Sequence, residues 1–150
     1  SHIHDHVCGS GNHHKGQIVA VEIAPRMMRD LSKLSESRPG LIPVLGDARN
    51  PSDIVPYLRE KADWLHQDIS VADQTKSFLK ISNIFLRIGG IGLLSLKAAS
   101  ERWIEGGDDS RFIAAKELID SNDKITLLEN IDISHFEGQH RLFVIRKDSN

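Results

Sequence analysis

The chain has a single cysteine, Cys8, so no disulfide can close within it, and a reducing compartment is expected. It has no apolar run near the roughly 18 residues that a membrane span requires. Nor does it have an apolar signal segment followed by a small-residue cleavage site. A cytosolic protein with no membrane partner is therefore expected. It also lacks the basic excess with which many proteins grip nucleic acid unaided: its net charge is −2. If it acts on nucleic acid, a local patch or a partner must supply most of the electrostatic hold. There is no internal repeat, and the only biased tract is the His-dense stretch over residues 1–14.

What is present is ordinary globular material, 39% hydrophobic and 27% charged over 150 residues, a length that suits one domain, 1–150. "GQIVAVEI" (16–23) reads as a buried strand. Pro25 opens a helix whose Met27, Met28, Leu31 and Leu34 fall at helical spacing, and "RPG" ends it. "LIPVL" (41–45) is a second strand, "PSDIVPYLRE" a short helix, and "ADWLHQD" (62–68) a third strand. A long helix is expected from about Ala72 to Ile88, with Gly89-Gly90 as its terminator, feeding the strand "IGLLSLKA". A further helix from about Asp108 to Asn122 should bury Phe112, Ile113, Leu118 and Ile119. The last strands, Ile125–Ile133 and Arg141–Lys147, are joined by too few residues for a crossover and should pair antiparallel. This alternation predicts an α/β fold: a mostly parallel, Rossmann-like sheet with a C-terminal antiparallel hairpin.

In such a sheet, ligands bind beyond the carboxyl ends of the strands, and here the parallel strands end in Glu22, Asp47, Asp68 and Lys97. Those four should line one rim. Glu22 is placed to accept hydrogen bonds from two ribose hydroxyls. Asp47 could meet an adenine amino group, with the small Ala48 letting the ring approach. Asp68 and Lys97 would face the reacting end. The residues by themselves leave NAD and S-adenosylmethionine both open as the nucleoside-bearing cofactor.

Five blocks, "VAVEIAPRMMRDL", "LIPVLGDARNP", "HQDISVADQTKSFL", "FLRIGGIGLLSLKA" and "FEGQHRLFVIRK", in this order and at matching intervals, resemble the fibrillarin family. These are S-adenosylmethionine-dependent RNA 2′-O-methyltransferases of archaea and eukaryotes. The resemblance implies the methyltransferase version of the fold and S-adenosyl-L-methionine as cofactor. It implies Glu22 and Ile23 at the ribose, Asp47 and Ala48 at the adenine, and Asp68, Ile69, Ser70 and Val71 toward the cofactor and target. Of the family's catalytic Lys, Asp, Lys and His, the last three fall on Asp68, Lys97 and His140. The first lysine has no counterpart here, and Val71 stands where relatives carry a glutamine.

"SHIHDHV" resembles the continuation of a glycine-rich cofactor loop, so the chain is expected to be incomplete at its N-terminus, without the first strand and the glycine turn. That strand would sit centrally, beside the Glu22 strand and the Asp68 strand. The implied activity is 2′-O-ribose methylation of rRNA, with tRNA as a second target class, by the catalytic subunit of a C/D-type guide ribonucleoprotein. Its partners would be guide RNA, target rRNA, a Nop-family scaffold and a kink-turn RNA-binding protein. The lack of a Gly/Arg-rich tail favours a cytoplasmic archaeal protein over a nucleolar eukaryotic one. Arg26, Arg29, Arg49 and Lys97 could form a modest phosphate-facing patch.

Three rivals remain. An inactive, methyltransferase-like docking subunit is the main alternative, favoured by Val71 and opposed by Asp68, Lys97 and His140. A dehydrogenase would need a Gly-x-Gly-x-x-Gly fingerprint, which these residues lack. A metal hydrolase is suggested by "HIHDH", but no residue separates the second histidine from Asp5, so no metal site is expected.

Overall fold

The structure is a computed structural model that describes residues 2–8, 16–135 and 138–150. It divides into two compact units, Ser1–Arg59 and Glu60–Asn150.

In the first unit, helix α1 (His2–Cys8) precedes strand β1 (Ile18–Glu22), helix α2 (Pro25–Glu36), strand β2 (Leu41–Leu45) and the short helix α3 (Pro51–Ile54). β1 and β2 pair in parallel, from Ile18 opposite Leu41 to Glu22 opposite Leu45. Pro43 has no N–H to give to a ladder, which suits β2 to the edge position it holds. α2 begins where the sequence predicts, with Pro25 in its first turn, yet none of its residues is fully buried. Met27 and Leu34 stay exposed.

Among the opening histidines, His4 is held by the protein itself. His4, only 6% exposed, donates from Nε2 to the Pro39 carbonyl at 2.9 Å, and its Nδ1 takes Arg38 Nη1 at 3.2 Å. Both ring nitrogens are engaged, and Arg38 also reaches Asp5 at 2.6 Å. Among the described residues, no three His, Cys, Asp or Glu side chains assemble into a metal cage. His13 and His14 lie outside the described residues.

The second unit contains strand β3 (Ala62–Gln67), helix α4 (Gln74–Phe85), strand β4 (Leu86–Lys97), helix α5 (Gly107–Asp120) and strands β5 (Ile125–Asp132) and β6 (His140–Lys147). The sheet order is β3-β4-β6-β5, parallel between β3 and β4 and antiparallel for the other two pairs. The core sets Phe78 and Leu79 of α4, with Phe112, Ala115 and Ile119 of α5, against Leu94, Leu96, Phe143 and Ile145 of the sheet. Each such large side chain removed from water contributes about 1.5–3 kcal/mol.

Two expectations need correction. The long helix ends at Phe85, and residues 86–90 open β4 instead. The buried Lys147 ends the helix by donating to the carbonyls of Asn83 at 2.7 Å and Leu86 at 3.1 Å. Gly89 and Gly90 therefore form an irregularity at the start of β4, not a helix terminator. Gly89 has φ +79°, and the register with β3 shifts between Ala62 and Trp64. Ile113 is 58% exposed, because the inward stripe of α5 steps from Phe112 to Ala115 and Ile119, leaving position 113 about 100° off that face. No helix among the described residues is long and apolar enough to cross a membrane.

Two measurements check this packing. A Cβ on Gly92 would stand 2.9 Å from both Ile145 Cγ1 and Phe78 Cζ, so Gly92→Ala should lower unfolding stability by about 1–3 kcal/mol in a urea titration; an unchanged midpoint would contradict the packing. At the open end of the hairpin, the Thr126 hydroxyl and then Arg146 hold the Asp148 carboxyl below the usual range near ~3.9. Its stabilising effect is therefore present above that ordinary value and lost as pH falls through the depressed one. Thr126→Val should raise the Asp148 pKa in a carbon-detected NMR titration, moving the acid-side loss to higher pH.

Candidate functional site

Each unit presents one carboxyl edge, and every expected residue lies on one of them. In the first unit, the parallel register puts the ends of β1 and β2 level, and the Gly46 N–H donates to the Glu22 carbonyl at 3.1 Å. Glu22 and Asp47 thus leave the same edge. Glu22 Oε1 accepts the Ala24 N–H at 2.7 Å, which orients the carboxylate and leaves Oε2 as a further acceptor. Ile23 follows with its side chain 63% exposed, an apolar surface beside a carboxylate. Gly46 has no room for a side chain: a Cβ there would lie 2.9 Å from that of Asp53.

Asp47 is more committed than its sequence context suggests. Its N–H is held by Asp53 Oδ2 at 2.9 Å. Its carboxylate takes Arg49 Nη2 at 2.6 Å, Arg49 Nε at 2.9 Å and the Arg49 N–H at 2.9 Å. The Arg49 side chain, followed by its backbone N–H, holds the Asp47 carboxyl below the usual carboxylate range. Arg49 is accordingly paired with Asp47 while its side chain stays exposed. Ala48, half-buried, sits between them.

In the second unit, β3 and β4 end on the same side because they run parallel, Gln67 opposite Leu94. Asp68 is the exposed residue that leaves β3, and Ile69, Ser70 and Val71 continue as the irregular segment leading to α4. Lys97 is the last residue of β4 and pairs directly with His140, the first of β6. Asp68, Lys97 and His140 are thereby collected at one end of the four-stranded sheet by three separate strands. His140, 8% exposed, donates from Nδ1 to the Gly138 carbonyl at 2.8 Å. That bond fixes the tautomer and leaves Nε2 as the acceptor nitrogen. A cavity of about 310 Å³ beside it is lined by Phe112, Asp132, Gln139, His140 and Arg141.

Sequence reasoning missed the supports behind these groups. Gln67 and Gln74 lie within a block that carries the resemblance but were given no role there, and Glu101 lies outside the blocks, yet Gln74 is fully buried and bonded to the Lys97 backbone. A signal was available: Gln74 lies on the same helical stripe as Phe78, Ile81 and Phe85, and a polar residue there is a departure worth explaining.

Set against known proteins, the chain matches the family model "Fibrillarin" over residues 1–149. It is 36% identical over 129 residues to a fibrillarin-like rRNA/tRNA 2′-O-methyltransferase of Methanococcus voltae, covering 85% of this chain and 54% of that protein. Among solved structures, the Methanococcus jannaschii fibrillarin pre-rRNA processing protein superposes with TM-score 0.81 at 31% identity, over 91% of this chain and 58% of that one. Aeropyrum pernix fibrillarin, in complex with natively bound S-adenosyl-L-methionine, gives TM-score 0.70 at 29% identity, over 87% and 56%. A fibrillarin/Nop5p complex shares the fold, with TM-score 0.79 at 22% identity, over 89% and 62%.

The chain thus spans a little over half the length of the curated relatives it matches. The α/β architecture, parallel with an antiparallel end, is the methyltransferase fold of these neighbours. With the five sequence blocks, the family model and the superpositions in agreement, the chain belongs to the fibrillarin family.

Proposed function

We propose that this protein is the methyl-transferring component of an RNA 2′-O-methyltransferase acting on rRNA and tRNA, with S-adenosyl-L-methionine as methyl donor. The observation that carries the reading is the convergence of Asp68, Lys97 and His140 at one sheet end, with Lys97 and His140 as direct ladder partners. The relatives named above are rRNA/tRNA 2′-O-methyltransferases, and one neighbour holds the donor.

The residues suit that donor. Glu22 has a free acceptor oxygen for ribose hydroxyls, with the exposed Ile23 beside it at the ribose, and Asp47 with Ala48 offers the adenine a carboxylate beside a small residue. When bound, the cofactor supplies an activated methyl on sulfur. The protein then has to hold the ribose 2′-hydroxyl in line and manage its proton. Lys97 is the group assigned to the hydroxyl, through charge on the developing alkoxide or acceptance of its proton. Asp68 orients the ammonium. His140, with its acceptor nitrogen, shapes the entry and contacts RNA. Ile69, Ser70 and Val71 border the cofactor side of the segment, Val71 by apolar contact in place of an amide.

We further propose that the target is chosen by a C/D-type guide RNA, within an assembly of a Nop-family scaffold and a kink-turn RNA-binding protein, in the cytoplasm of an archaeal cell. A fibrillarin/Nop5p complex of the same fold supports the scaffold, and a net charge of −2 supports delegating RNA binding to partners.

Two experiments test the reading. The protein, combined with guide RNA, target RNA, scaffold and kink-turn protein, should transfer radiolabelled methyl to one ribose, and Lys97→Met should slow this about 10²–10⁴-fold. Assembly without transfer would favour the docking subunit. In calorimetry, Glu22→Gln keeps an oxygen for the Ala24 N–H but loses the charge, and should weaken S-adenosylmethionine binding about 10–100-fold. Unchanged affinity would remove Glu22 from the site.

A further inference from the structure

β4 outruns β3. The parallel ladder ends at Gln67 opposite Leu94, whereas β4 continues to Lys97. On the other edge β6 keeps pace: Lys97 stands opposite His140, and the Ala98 N–H donates to the Gln139 carbonyl at 3.1 Å. Antiparallel neighbours alternate between bonded and non-bonded pairs. With Ala98 bonded toward β6, the N–H and C=O of Lys97 turn to the edge that β3 has left.

One side chain meets both groups. Gln74 Nε2 donates to the Lys97 carbonyl at 3.0 Å, and the Lys97 N–H donates to Gln74 Oε1 at 3.3 Å. A primary amide carries the same donor and acceptor as a peptide unit, so Gln74 extends the ladder by the one residue that Lys97 needs. It is wholly buried, where packing alone would favour an apolar residue of similar volume. Its own carbonyl accepts from Gln67 Nε2 at 3.0 Å, and Gln67 directly precedes Asp68. Glu101 closes the frame by accepting the N–H groups of Asp73 at 3.1 Å and Thr75 at 3.3 Å.

We infer that Gln74 is a positioning residue that sets the direction of Lys97 and ties it to the start of the Asp68 segment. This rests on the proposed role of Lys97 in methyl transfer. Methionine at position 74 would fill the space without either bond. Glutamate would keep the acceptor and, once ionised, lose the donor.

The test is a double-mutant cycle in the assembled guide ribonucleoprotein, read by single-turnover methyl transfer at pH 8. Gln74→Met should slow transfer about 10–100-fold with S-adenosylmethionine affinity within about 2-fold of the parent, and should cost less than about 2-fold in a Lys97→Met background. An equal loss in both backgrounds, or none in either, overturns the inference. A Lys97→Met protein that transfers at the parental rate instead overturns the role of Lys97 itself.

A second readout needs no activity: in Gln74→Met the Lys97 amide should exchange with solvent at least about 10-fold faster while Leu94 keeps its protection. Unchanged exchange at Lys97 overturns the inference. If the methionine variant does not fold, Gln74→Glu serves in the same cycle, with Lys97 amide protection retained and transfer slowed relative to the parent as rising pH ionises the glutamate; parental transfer at every pH overturns the inference.

Discussion

The second unit is organised by one strand that must be hydrogen-bonded along both edges. β4 pairs in parallel with β3 and antiparallel with β6, and most of its residues between Gly92 and Lys97 are buried. A one-residue shift of register would turn Leu94 and Leu96 away from the core they share with Phe78, Phe112 and Phe143. Its beginning is set by the Lys147 ammonium on the last carbonyls of α4, and its middle by the glycine at 92 that admits Phe78 and Ile145. The end is completed by the Gln74 amide. The direction in which Lys97 leaves the sheet is a consequence of these three constraints.

The two carboxyl edges use charge differently. On the first, the carboxylates are held by short local contacts, Glu22 by the Ala24 N–H and Asp47 by Arg49. Such turns preorganise an acceptor without long-range support. On the second, Asp73 adopts a left-handed conformation with φ 59° and binds Arg102, so the segments after β3 and after β4 are tied by charge as well as by amides. Arg49 and Arg102 are in this way paired with carboxylates of the chain itself.

The elements themselves were readable from spacing. The opening helix α1 was not expected; from Ile18 onward, alternation of strand and helix, Pro25 at a helix start and the short link before β6 indicate the types and order of the main elements, because each depends on local stereochemistry and on burial period. The misjudged points have two causes, a distant residue in one case and the angle of a residue on its own helix in the other. The helix expected to reach Ile88 stops at Phe85 because Lys147, 61 residues after Leu86, takes its terminal carbonyls. Ile113 was assigned to the core from hydrophobicity although its angle on α5 faces water.

Sequence alone was enough to determine the family and the residues at the strand ends, since ordered motifs survive in one dimension and strand direction dictates which termini share an edge. Only the tertiary structure could decide what those residues are bonded to: that Arg49 is paired with Asp47, that His4 is a structural donor, that His140 faces Lys97. Hydrogen bonds are selected by directions and distances of a few ångströms between groups remote in the chain, and the pairing of the Gln74 amide with the Lys97 backbone is visible only there.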